Sequence, residues 1–159
     1  MLQDIPLSAA AIQEWLDTAP MMTVDDVRAR PSTLATRLAR YWLPDETILY
    51  IGKAVSLSDR VGGFYSSRIG HARPHRGGMW LKTLSNLDHL TVHYAVVDRD
   101  PGPVESRALG AFMARVSAGS RRRYPEQERD LPLPFANLEW HSEGKRCRRQ
   151  HGIARPTAD

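Results

Sequence analysis

Ile48-Leu49-Tyr50-Ile51-Gly52-Lys53-Ala54, followed at once by Ser56-Leu57 and Asp59-Arg60-Val61, carries a β-type run, a glycine turn and a helix start within 14 residues. The apolar run ends on Tyr50, turns at Gly52 and Lys53, and enters a helix that presents Arg60. The pattern places a phenol, an ammonium and a guanidinium at one end of a strand. A phosphodiester calls for that set: a proton acceptor or water positioner, and two cations for the phosphate oxygens.

Upstream, residues 8–19 read as a helix capped by Ser8, with Ile12, Trp15, Leu16 and Ala19 on one face, stopped by Pro20. Thr23 to Asp26 offers another cap. After Arg30-Pro31, Ser32 opens a second short helix carrying Leu34, Leu38, Tyr41 and Trp42 on one side. Residues 46–51 are then expected as a strand, and Ser56 with Asp59 as the cap of a helix to about Ser67, with Leu57, Val61, Phe64 and Tyr65 as its buried stripe.

Downstream, Gly70-His71-Ala72-Arg73-Pro74-His75-Arg76-Gly77-Gly78 reads as a loop, and a short helix with Trp80, Leu81 and Leu84 follows. His89 to Asp98 alternates as a second strand, with Leu90, Val92, Tyr94 and Val96 on one face. Pro101 and Pro103 introduce a helix over about 104–118. Arg121-Arg122-Arg123, a proline-punctuated loop and a ragged basic tail from Gly144 complete the chain. The domain expectation is a helical segment over 1–44, a central domain over 45–140 and a basic tail over 141–159.

The 159 residues suit one domain, and 42% hydrophobic residues suffice for a core. The single Cys147 cannot form an internal disulfide, which fits a reducing compartment. No apolar run approaches the ~20 residues of a membrane helix, and Met1-Leu2-Gln3-Asp4 lacks the marks of a signal peptide. A cytoplasmic protein with no membrane partner is expected. Residues 1–45 hold four Arg against six acids, a net of −2, whereas the remainder holds 18 Lys or Arg against 12 acids, a net of +6. Only three of the 22 basic residues are lysine. A G+C-rich genome explains abundant arginine, but not its asymmetry, which points toward nucleic acid or another polyanion. Arg73, His75, Arg76, Arg121, Arg122, Lys145, Arg146, Arg148 and Arg149 are the expected contacts, the tail riding on a phosphate backbone or remaining a solvated extension.

Glu105 is the most informative acid, because it shares a helix face with Leu109, Phe112, Met113 and Val116. A carboxylate aimed at a core is costly unless paired or metal-bound, although a first-turn acid also suits the helix dipole. Singly, Tyr50 reads as a packing residue, Lys53 as a turn lysine and Arg60 as an arginine snorkelling at a face edge. In combination, Glu105 is expected to bind a metal, since one carboxylate with several waters is a normal way to hold Mg²⁺. His71 and His75 lie in a Gly/Pro loop unsuited to zinc, and Cys147 has no triad context.

From Glu46 to Trp140 the chain resembles a GIY-YIG domain. Tyr50-Ile51-Gly52 matches the second tripeptide, Lys53-Ala54 its continuation, Leu57 and Arg60 the following helix, Glu105 the metal-binding glutamate, and Asn137 the asparagine near the domain's end. The first tripeptide departs: its place holds Leu38-Ala39-Arg40-Tyr41, keeping a tyrosine alone. The resemblance implies an α/β (α+β) sandwich with a central three-stranded antiparallel sheet flanked by helices, here with a helical N-terminal extension. It implies DNA hydrolysis with one Mg²⁺ or Mn²⁺ on Glu105. Arg60 would hold the scissile phosphate, Tyr50 would position or deprotonate water, and Lys53 would add charge. Tyr41 would stand for the first tyrosine, and Asn137 would fix the site by hydrogen bonds. The alternative is a non-catalytic nucleic-acid-binding module on the same scaffold, and a third reading is a basic structural or partner-binding domain. RNA stays open as a target.

Overall fold

A computed structural model describes residues 5–71, 78–142 and 144–155. Among them the chain is mixed α/β, with six α-helices, a three-stranded antiparallel sheet and a two-stranded one. Arg73, His75 and Arg76 lie outside the described residues.

Helix α1 (Ala9–Thr18) begins as expected: Ser8 Oγ accepts from the Ala11 amide at 3.1 Å, and Ile12, Trp15 and Leu16 are buried. The next segment differs from the expected cap. Thr23–Val24 (β1) and Val27–Arg28 (β2) form a hairpin turned by Asp25 and Asp26 at φ 50° and 62°. Positive φ at both central residues is the geometry whose twist suits a two-residue hairpin, and aspartate tolerates it. Helix α2 (Pro31–Ala39) starts at the proline, with Thr33 Oγ1 accepting from the Arg30 amide at 2.9 Å.

The three-stranded sheet is not the one expected. Its order is β2–β1–β5, where β5 is Ile153–Ala154, paired with Val24 and Thr23. Neither 46–51 nor 89–98 forms a strand among the described residues. Local partners occupy the first segment: Glu46 Oε1 accepts from the Ser117 amide at 2.9 Å, Leu49 O accepts from the Ala136 amide at 2.8 Å, and Asn137 occupies Ile51. In the second, Val92, Tyr94 and Val96 stand in the open.

Helix α3 (Leu57–Ser66) is capped by Ser56, whose Oγ accepts from the Asp59 amide at 3.3 Å. Its apolar stripe is not buried: Leu57 and Tyr65 are exposed, and Val61 and Phe64 are half-buried. The stripe faces a cleft instead of the core. Helix α4 (Gly78–Leu81) buries Met79 and Trp80. Helix α5 (Gly102–Arg115) buries Leu109, Phe112 and Met113, and ends before the expected 118 because Ser117 caps α6 (Ala118–Arg123). The arginine run therefore lies on a helix.

The buried core is shared across the expected boundary at 44/45. Ile12, Trp15, Leu34, Leu38 and Tyr41 belong to the same buried cluster as Ile69, Trp80, Leu109, Phe112, Tyr124 and Phe135. The tail is also built in. Glu139–Ser142 (β3) and Lys145–Arg148 (β4) form a hairpin, Trp140 Nε1 donates to Ser106 O on α5 at 3.0 Å, and Arg155 donates to Gly70 O. Arg149 is only 4% exposed. Its guanidinium donates to Phe135 O at 2.6 Å, the Tyr124 hydroxyl at 2.7 Å, Leu133 O at 3.1 Å and Pro134 O at 3.2 Å. The faces of Tyr41 and Trp80 lie 4.5 and 5.0 Å from its Cζ, an aromatic enclosure that rewards a desolvated cation. The expected phosphate contact is thus a structural arginine, and the expected solvated tail is part of the fold.

Candidate functional site

The cleft beside α3 has a volume of about 670 Å³ and is walled by residues 47–54, the open face of α3, and residues 89–93. Tyr50, Lys53 and Arg60 all line it. Arg60 Nη2 stands 3.4 Å from the Tyr50 hydroxyl, a long contact between exposed groups. The turn glycine has a steric reason. A Cβ at Gly52 would lie 2.5 Å from Tyr50 Cε1 and 2.6 Å from its hydroxyl, so the phenol folds over space only glycine leaves free.

Asn137 fixes the chain behind this turn. It is buried, its Oδ1 accepts from the Ile51 amide at 2.9 Å, and its Nδ2 donates to Ile51 O at 2.7 Å. One carboxamide thereby satisfies both backbone groups of the residue between Tyr50 and Gly52.

Glu105 enters through Lys53. The ammonium of Lys53 is 3.7 Å from Glu105 Oε2, with the two side chains 50% and 24% exposed. At that separation and exposure the pair contributes under about 1 kcal/mol. Glu105, in the first turn of α5, is not among the residues lining the cleft, and among the described residues this pair is its link to one that is. Lys53 Nζ also lies 3.0 Å from the position a Cβ would take at Gly102, whose amide is bound by Asp100 Oδ1 at 2.9 Å. Among the described residues there is no group of three or more His, Cys, Asp or Glu side chains able to hold a metal ion. Glu105 would have to work as a lone carboxylate completed by water, an arrangement Mg²⁺ accepts. The Lys53 ammonium, 3.7 Å away, would compete with a divalent cation for that carboxylate.

Tyr41 is elsewhere. It is 2% exposed, its hydroxyl lies 3.0 Å from both Glu128 Oε1 and Gln150 O, and its ring packs edge-on against Tyr124. Burial first, then the neighbouring Glu128 charge, pushes its pKa up, which leaves a phenol that holds its proton. It is not among the residues lining the cleft. Arg121 is likewise engaged, donating to Met113 O at 2.6 Å and Arg129 O at 2.9 Å. Arg146 pairs with Glu139 at 2.6 Å, while Arg122, Lys145 and Arg148 remain exposed.

His89, Thr91 and His93 form part of the cleft wall and were not singled out from the sequence. Thr91 Oγ1 is 3.2 Å from His93 Nε2. Leu90 and Val92, between them in the chain, line the same cleft, so the alternation expected of a strand does not sort this segment into two faces. Among the described residues no helix is long and apolar enough to cross a membrane.

In comparison with known proteins, no family model matches the chain, and neither a curated protein nor a solved structure matches it.

Proposed function

We propose that the chain is a GIY-YIG-like, divalent-metal-dependent endonuclease that hydrolyses DNA phosphodiester bonds in the Tyr50–Arg60 cleft. The observation that carries this reading is the cleft shared by Tyr50, Lys53 and Arg60, with the phenol and guanidinium 3.4 Å apart; Glu105 does not line it and is linked to it by its 3.7 Å pair with Lys53. The sandwich fold of that family belongs to the same proposal.

Hydrolysis adds water across a phosphorus–oxygen bond. A water oxygen attacks phosphorus, the bond to one sugar oxygen breaks, and a proton passes from the water to that oxygen. Arg60 can bind two phosphate oxygens with its planar fork and stabilise charge as it builds on them. Tyr50, held over Gly52, orients the attacking water. Lys53 lies near enough to add positive charge, and Asn137 keeps Tyr50 in place through Ile51. Mg²⁺ or Mn²⁺ bound at Glu105 would supply Lewis acidity toward the phosphate.

A non-catalytic nucleic-acid-binding module on this scaffold is the second reading, and Tyr41 favours it. The tyrosine standing for the first motif is locked in the core, so of the two motif tyrosines that the resemblance implies only Tyr50 lines the cleft. Cleavage and binding assays on labelled DNA separate the readings. The nuclease predicts Mg²⁺- or Mn²⁺-dependent products that vanish in Arg60→Ala and Glu105→Ala. Salt-sensitive retardation without products, unchanged in Glu105→Ala, would establish the module instead. No retardation and no products at low salt would reject both.

A further inference from the structure

We infer that the cleft accepts an unpaired strand of DNA, its bases stacking on Tyr65 and its phosphates on Arg60, in preference to an intact duplex; this rests on the proposed function. The observation behind it is the misplaced stripe of α3. Leu57, Val61, Phe64 and Tyr65 follow the spacing of a buried helix face, yet none of them is buried, and all four line the cleft. A site built only for phosphates has no use for such a wall.

Tyr65 is 48% exposed and lines the cleft, so much of its side chain is open to a ligand. The ring is braced by its neighbour: the Phe64 and Tyr65 rings meet edge-on, centroids 5.1 Å apart at 77°, and the Lys82 ammonium lies 4.9 Å over Phe64. An aromatic surface held in this way is a stacking platform that costs little further ordering on binding. Double-stranded DNA cannot use it, because the faces of its bases are covered by their neighbours and only phosphates and base edges are presented. An unpaired strand offers those faces freely.

Size and charge agree. About 670 Å³ lies in the range of small-molecule clefts, enough for one or two nucleotide units and too little for a double helix. Arg60 and Lys53, on the same walls, suit a phosphate-linked strand better than an apolar peptide or a second copy of this chain.

The test measures equilibrium binding of the full chain, in chelator to prevent cleavage, to three labelled probes. These are a short oligothymidylate, an abasic strand of equal length, and a duplex. The oligothymidylate is expected to bind about tenfold more tightly than either of the others, as one stacked base would give. Tyr65→Ala should remove that advantage and leave abasic binding unchanged, whereas Tyr65→Phe, which keeps the ring, should retain it. Equal binding of oligothymidylate and abasic strand, or tighter binding of the duplex, overturns the inference alone. Failure of all three to bind overturns it together with the reading beneath it.

Discussion

The Asn137 carboxamide makes both backbone hydrogen bonds of Ile51, accepting at 2.9 Å and donating at 2.7 Å. A side chain thus does for this residue what a neighbouring strand does in a sheet. Asn137→Ala removes both bonds and is expected to cost about 2 kcal/mol, read as a lower urea midpoint. Nucleic-acid affinity should fall with it, because Tyr50 is the adjoining residue. Asn137→Asp keeps the acceptor, loses the donor and sets a charge beside Ile51 O, so it should recover little. Wild-type stability in Asn137→Ala would show that the clamp is dispensable.

Gly52→Ala is expected to separate function from stability. The new Cβ would lie 2.5 Å from Tyr50 Cε1, and the ring must swing away from Arg60 to admit it. Tyr50 is already 37% exposed, so its displacement costs less than the loss of a core ring. The free energy of unfolding should fall by about 1 kcal/mol, while binding or cleavage falls to the level of Tyr50→Ala. Undiminished activity would mean that the phenol's seat over Gly52 is incidental.

Arg149→Met deletes the donors that serve three core carbonyls and the Tyr124 hydroxyl. Pro134 O keeps the Asn137 amide at 3.0 Å, but the other acceptors lose this buried donor, at an expected total cost of about 3 kcal/mol. Arg148→Ala, one residue away and exposed, should stay within about 0.5 kcal/mol of the native protein. Chemical denaturation of the pair measures the contrast. Equal effects would argue against a structural Arg149.

His151 provides a pH signature. Its Nδ1 accepts from the Ile153 amide at 2.9 Å, which requires an unprotonated nitrogen. Burial first, then Arg149, Arg148 and Arg37, lowers its pKa from 6.5 to about 4. The unfolded chain therefore takes up a proton before the folded one does, and stability falls as the pH drops from about 6.5 to about 4. The loss contributed by this group is roughly 3 kcal/mol across that window. His151→Gln should flatten this part of the stability–pH curve, and an unchanged slope would assign it to other groups.

Local features were the legible ones. Ser8 and Ser56 cap the helices their spacing marks, since a cap depends on residues three positions apart. The Leu57–Tyr65 stripe was legible as a stripe, but periodicity does not reveal whether anything covers it. The alternation at 89–98 does not supply a strand to pair with, and pairing is a long-range matter. Asp25-Asp26 resembled a helix cap because aspartate serves caps and tight turns alike. Arg149 was read by its charge among basic neighbours, although its place is decided by Tyr41, Trp80, Tyr124 and Phe135, 14 to 108 residues away. Of the candidate site, the Tyr50–Gly52–Arg60 corner could be read because it is contiguous. Its distance from Tyr41 could not.

The pairing of Ile153–Ala154 with Thr23–Val24 bears on how the molecule assembles. The N-terminal hairpin acquires its third strand only from residues synthesised about 130 positions later. On a ribosome, β1 must wait with one edge unpaired until that segment emerges. Closing so long a loop favours slow, late consolidation over early local collapse. The open edge of β1 is therefore among the last parts of this hairpin to be locked.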